Sequence, residues 1–353
     1  MNCIKLTGDT MLEKMTEIEL KISFNTPAFL GNAEQNAQWR TPPFKALLRR
    51  WWRVVKAKEV DYDYKKLLEK ENKLFGKATD KDATRSKLML RLDKWEKGQD
   101  FETVKMKVWH PEVGKQRGMN IDSQLYLGYG PISIKGNKKA LPEGSSAILT
   151  LLLPEEDKKD IETAVDLIAL FGTIGSRSRN GWGSIHIEGR TADAAAQKGL
   201  ITGYSRDLAD AMKLDWAHCI GCDSSGKLLI WKTRLMNSWG EVMQKLAEIK
   251  IGFRTKFRFT GGKYHKTPEK RHIISYPVTN HDLDRMRNAR NPNQVIFKVL
   301  RSGEKYYGVV YHMPSKVSDD FFENSDLKDN YKRLENSAWE ELHGFLNNGL
   351  NRI

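Results

Sequence analysis

RTPPFKALLRRWWR, residues 40–53, gathers four arginines, one lysine and two adjacent tryptophans. Guanidinium groups stay charged at any working pH and fork onto oxyanions, so such a cluster grips anions and does not shuttle protons. A second arginine pair, Arg177 and Arg179, lies in GTIGSRSRNGWGS, residues 172–184, among Gly172, Gly175, Gly181 and Gly183. Glycines let backbone come close to a ligand. Phosphate loops of nucleotide-binding proteins run from a strand into a helix, whose N-terminus faces the phosphate. This loop runs the other way, from a helical pattern into an alternating stretch, and lacks the Gly-Lys-Ser/Thr ending. It suits a polynucleotide backbone or a neighbouring subunit better than a nucleoside triphosphate.

A helix must position the first cluster. Pro42 and Pro43 fit a first turn, where a missing N–H costs nothing, and Thr41 fits the cap. At ~100° per residue, Phe44, Leu47, Leu48, Trp51, Val54 and Val55 fall in one apolar arc. Trp51 lies mid-arc and is expected in the core. Lys45, Arg49, Arg53 and Lys56 gather on another face, with Trp52 at the edge, where a ring can stack on a base. That face has no interleaved acid at i±4, so its repulsion invites an anion.

Around this helix the periodicities alternate. Residues 17–25 read as a half-buried strand, with Ile18, Leu20, Ile22 and Phe24 on one side. Residues 124–134 and 146–153 read as strands, 157–171 as a helix and 184–188 as a short strand. About residues 56 to 115 form a Lys-rich stretch, read as a helical insertion. Strand, helix, strand, strand, helix, strand is the split βαβ order. Small residues at 191–203 mark a boundary, which gives domains 1–200 and 201–353. The second half repeats the theme: strands near 217–222, 227–234 and 272–278, a helix from Trp239, a hairpin over 295–312 and a helical tail over 321–350. The expected fold class is α+β, two tandem ferredoxin-like domains with the insertion in the first.

The bulk numbers bound the partner. Lys plus Arg is 59 against 45 acids, a net charge of +14. Solubility needs less, so a polyanion is implied, with nucleic acid the commonest. The 3 cysteines imply no disulfide framework and a reducing cytoplasm. Neither a membrane-length apolar run nor a secretory leader pattern is present, so no membrane role is expected.

The helix RTPPFKALLRRWWR followed far downstream by FGTIGSRSRNGWGS resembles the RAMP superfamily of CRISPR proteins, and most of all the first subunit of the type III-B (Cmr) effector complex. The resemblance is strong over roughly residues 15 to 190 and loose beyond. It implies a non-catalytic RNA-binding subunit that contacts the guide RNA 3′ region, helps capture target RNA and sits beside other Cmr-complex RAMP subunits. It implies no cofactor. Carried over by motif, Arg40, Lys45, Arg49, Arg50 and Arg53 form the RNA-facing set on the helix, with Arg177 and Arg179 from the loop. Arg271 opens a stretch the family tends to make basic. Ala46 stands where relatives commonly have glycine.

Other constellations compete. The run Arg254, Lys256, Arg258, Lys263, Lys266, Lys270, Arg271 is a second basic surface, or a solvated one. His218, Cys219 and Cys222 make H-C-x-x-C, one ligand short of a structural zinc, so no metal is expected. The enzyme alternative is a metal-independent endoribonuclease that processes guide precursors, with His110 or His186 as acid or base.

Overall fold

The computed structural model describes residues 14–79, 82–114, 118–284, 286, 290–323 and 325–353. The first half contains β1 (Met15–Phe24), α1 (Thr41–Ala57), α2 (Tyr64–Phe75), β2 (Met89–Leu92), β3 (Lys107–His110), β4 (Met119–Asp122), α3 (Ser123–Gly128), β5 (Ser146–Pro154), α4 (Lys158–Phe171) and β6 (Ile185–Ile187). Its main sheet runs β2–β5–β1–β6, every neighbour antiparallel, with Leu20 opposite Leu149 and Phe24 opposite Ile185. β1 alternates as its sequence demands: Ile18, Leu20, Ile22 and Phe24 are buried under α1 and α4.

The second half contains β7 (Ile230–Lys232), α5 (Trp239–Lys256), α6 (Lys270–Ile274), β8 (Val295–Ser302), β9 (Lys305–His312), α7 (Ser325–Gly349) and β10 (Asn351–Arg352). Its sheet runs β8–β9–β7–β10, again antiparallel throughout. Strand order and connections repeat those of the first sheet.

The second sheet is buried on both faces. Phe297, Val299 and Val310 face the core under α5 and α7, while Ile296, Leu300, Val309 and Tyr311 join the core of the first half. That is why β8 and β9 read as near-continuous apolar runs. Lys298 crosses the same boundary: its buried ammonium donates to the carbonyls of Ile168 (2.8 Å) and Ala169 (2.6 Å), the open carbonyl end of α4.

Three sequence expectations are corrected. Among its described residues the insertion is helical only where α1 ends, over 58–60 and in α2; it also supplies β2, an edge strand of the first sheet. Residues 124–134 are not a strand: Asp122 caps α3 by accepting from the N–H groups of Gln124 (2.8 Å) and Leu125 (2.9 Å). The start of 272–278 falls in α6, which Glu269 and His272 close with a reciprocal capping box.

Candidate nucleic-acid interface

α1 begins at Thr41, with Arg40 in the cap position and Pro42 in the first turn. Arg40 donates to the Gly31 carbonyl at 2.6 Å. The basic face predicted for α1 is largely neutralised from elements far away in the chain. Arg53 forks onto Glu71 of α2, with Nη2 2.8 Å from Oε1 and Nε on Oε2. Arg49 stands 3.6 Å from the same carboxylate and over the Phe75 ring at 5.3 Å. Glu71 is buried, so the pair is a structural one. Lys56 binds Asp160 of α4 at 2.7 Å and also Glu59, and Lys45 donates to Ser86 Oγ at 2.7 Å. Trp52 is 1% exposed and meets Phe75 edge-on at 5.4 Å, so it offers no platform for a base. The stripe of unneutralised charge on α1 is therefore corrected; what the sequence read as an open face is the seat of α2.

Arg50 is the exception. Its Nη2 lies 3.2 Å from Met313 Sδ and it lines a cleft of about 300 Å³ with Arg179, Arg290, Lys316, Gln294 and Asp215. Arg179 reaches this cleft from the glycine loop and donates to the Asn293 carbonyl at 2.9 Å. Among the described residues neither Arg50 nor Arg179 has an ion-pair partner, whereas Lys316 is engaged by Asp319 at 3.3 Å. Burial, and then the charge of Arg50, lower Arg179 to about 10. Two guanidiniums thus converge from positions far apart in sequence with no counter-ion. Arg290 and Lys316 were not expected here; both come from the second half, and no local pattern points across the fold.

The glycines serve the chain itself. Gly175 has φ +90°, and a Cβ there would stand 2.7 Å from the Phe29 carbonyl oxygen; Gly183 has φ +61°, and its Cβ would stand 2.0 Å from that of Ile174. This corrects the expectation that they admit a ligand. The loop is also a joint: the Phe297 N–H donates to the Arg179 carbonyl at 3.0 Å, and the Val299 N–H to Ser184 Oγ at 2.9 Å. So anchored, it turns Arg179 into the cleft and leaves Arg177 exposed.

The remaining expectations separate. Arg271 is not free: it pairs with Glu112 at 2.8 Å and stacks over Phe259 at 5.3 Å. Lys256 and Lys270 both pair with Glu341. His110 is buried, its Nδ1 accepting the Glu112 N–H at 3.2 Å, and burial holds it below the usual histidine range. Burial does the same to His186, whose Nδ1 has no hydrogen-bond partner among the described residues. His218 is held between the Trp216 carbonyl (2.7 Å) and Arg206 (3.1 Å), while burial pushes the Cys219 thiol up to about 12. Among the described residues no group of three or more His, Cys, Asp or Glu is placed to hold a metal ion, and no helix is long and apolar enough to cross a membrane.

With this geometry in hand, residues 21–186 match the model of the RAMP superfamily, a segment that runs from β1 to β6 and includes α1, α4 and the glycine loop. No curated protein matches the chain. Among solved structures the chain is similar to apo Cmr1 from Pyrococcus furiosus, at 15% identity and TM-score 0.44, covering 92% of this chain and 96% of that one. It is also similar to a chain of the type III-B Cmr-beta complex bound to cognate target RNA, at 12% identity and TM-score 0.48, covering 92% and 100%. A further state of that complex, with AMPPnP and single-stranded DNA present, gives 11% identity and TM-score 0.43 over 94% and 100%.

Proposed function

We propose that this chain is a non-catalytic RNA-binding subunit of a cytoplasmic type III-B CRISPR effector ribonucleoprotein, and that it holds single-stranded guide and target RNA beside other RAMP subunits. On this reading residues 1–200 and 201–353 are two ferredoxin-like units locked by the glycine loop. One observation carries the reading: Arg50 and Arg179 meet in a cleft with no ion-pair partner among the described residues, close enough for one charge to depress the other. Holding a largely buried guanidinium beside a second, half-buried one is costly unless an anion fills the space between them. A phosphate, with several acceptor oxygens, answers both. The match of residues 21–186 to the RAMP superfamily supports the same class of ligand.

The test is a salt titration of labelled single-stranded RNA followed by fluorescence anisotropy. The parent should bind with log K falling linearly in log salt. Arg50→Ala with Arg179→Ala should weaken binding and flatten that slope by about 0.7, the share of the one phosphate the pair holds. The RNA should stay intact in EDTA. An affinity indifferent to salt, or a double variant identical to the parent, defeats the reading.

A further inference from the structure

Beside the glycine loop the structure holds a second group of basic residues, Arg177 exposed and Lys250 and Arg254 half-buried. Lys250 and Arg254 stand one turn apart on α5, where like charges repel. Lys250 Nζ donates to Asn180 Oδ1 at 2.7 Å, which ties it to the loop, and lies 5.9 Å from the Tyr126 ring. The Arg254 guanidinium hydrogen-bonds the Tyr126 hydroxyl, while its buried Nε has no hydrogen-bond partner among the described residues. Arg177, from the loop, is close enough that its charge and that of Arg254 add to burial in lowering Lys250 to about 7. None of the three has an ion-pair partner among the described residues; the nearby carboxylate, Glu112, is taken by Arg271.

Two further observations distinguish this cluster from a solvated surface. Arg177 has φ +59°, a conformation uncommon for any residue with a Cβ, in a loop rich in the residue that adopts it freely. Strain of this kind persists where the side chain has work to do. Beside it, a Cβ on Gly130 would lie 3.4 Å from Arg177 Nη2, and the preceding Tyr129 is 67% exposed. Cations and an open ring side by side are what one unit of a single strand requires: donors for the phosphate and a flat face for the base.

We propose that Arg177, Lys250 and Arg254 seat a phosphodiester of a single-stranded polynucleotide, with Tyr129 stacking on the adjoining base, separately from the Arg50–Arg179 cleft. The proposal rests on the RNA-binding reading and extends it to α5 of the second unit.

The test uses the full chain, labelled oligouridylate and the same salt series. Arg177→Gly is the informative variant. It should melt at or above the parent temperature, because glycine relaxes the positive φ, yet bind RNA several-fold more weakly with a slope shallower by about 0.7. Lys250→Met and Arg254→Met, which keep their packing stems, should each weaken binding similarly. Tyr129→Ala should cost roughly fivefold or more, and Tyr129→Phe should restore it. If these variants keep parental affinity and slope while the Arg50/Arg179 double variant loses both, the second seat is refuted and the RNA reading stands. If the parent itself does not bind RNA, both are refuted. Should Lys250→Met fail to fold, exposed Arg177 and Tyr129 still decide the matter.

Discussion

Trp51 and Trp52, neighbours in sequence, point ~100° apart on α1, yet both are about 1% exposed. Trp51 stacks on Phe171 of α4 at 5.6 Å; Trp52 meets Phe75 of α2 at 5.4 Å. A helical wheel shows one apolar arc and so places Trp51 correctly, but it cannot show that a second helix will cover the edge. The same blindness hid Glu71: a buried acid that pairs with Arg53 from another helix leaves no i, i+4 signature. Trp52→Ala should therefore destabilise by about 3–5 kcal/mol, the cost of emptying a large buried aromatic site. Denaturant unfolding measures it, and a variant as stable as the parent would return Trp52 to the surface. The residues left for the ligand are fewer than the motif suggests: Arg50, Arg179 and Arg177 keep their charge open, whereas Arg49, Arg53, Lys56 and Arg271 spend theirs on carboxylates of the same chain.

The element that organises the site is the loop between α4 and β6. Its glycine spacing was legible in the sequence as a special backbone, but its purpose was not, because the carbonyls it crowds, of Phe29 far upstream and of Ile174 across the loop, meet it only once the loop is folded. Gly183 shows the effect best. A methyl group there would enter contact with the Ile174 oxygen at 2.0 Å, at a φ of +61°. Gly189 has a comparable φ of +76° with nothing within 4 Å. Gly189→Ala should then cost only the conformational penalty, about 1–2 kcal/mol. Gly183→Ala must also displace backbone at the joint, and should cost clearly more in a thermal melt while loosening the hold on Arg179. Equal losses in the two variants would reduce this loop to an ordinary turn. Strands posed the opposite difficulty. β1, β8 and β9 announced themselves by long alternation or long apolar runs, but β2 is a four-residue edge strand whose alternation, Leu90 and Leu92 after Leu88, is too short to stand out in a Lys-rich stretch. The apolar pattern of 124–134 fits a strand as well as a helix until Asp122 caps it.

Across the whole molecule, the second sheet lies between the helices of its own half and the core of the first, so anything that loosens it reaches the cleft. Its weak point is acid. Behind β9, His312 and His343 are both buried, with His312 Nδ1 3.0 Å from His343 Nε2. Gln294 Oε1 accepts the Ser315 N–H at 3.0 Å, so the His312 Nε2 at 3.2 Å is the donor to it, and His312 Nδ1 accepts the proton of His343. That chain needs a neutral His312, whose Nδ1 must accept; a protonated His343 would still donate from Nε2, and what opposes its charge is burial. Burial, and then the charge of Arg352, lower His343 to about 4, and burial lowers His312 well below its ordinary value. An unfolded histidine titrates near ~6.5. Between the two values the unfolded chain binds more protons than the folded one, so stability falls as the pH drops from ~6.5 toward 4. At pH 5 the loss should be about 2 kcal/mol for His343 alone. Urea unfolding followed by tryptophan fluorescence, with Trp231 and Trp339 packed on these rings, should show the midpoint falling over that window. His343→Gln should flatten the decline whatever its stability at neutral pH. Because Gln294 also lines the cleft, RNA affinity should begin to fail in the same pH range, ahead of global unfolding. A midpoint independent of pH from 7 to 4.5 would mean that the histidines are not held neutral.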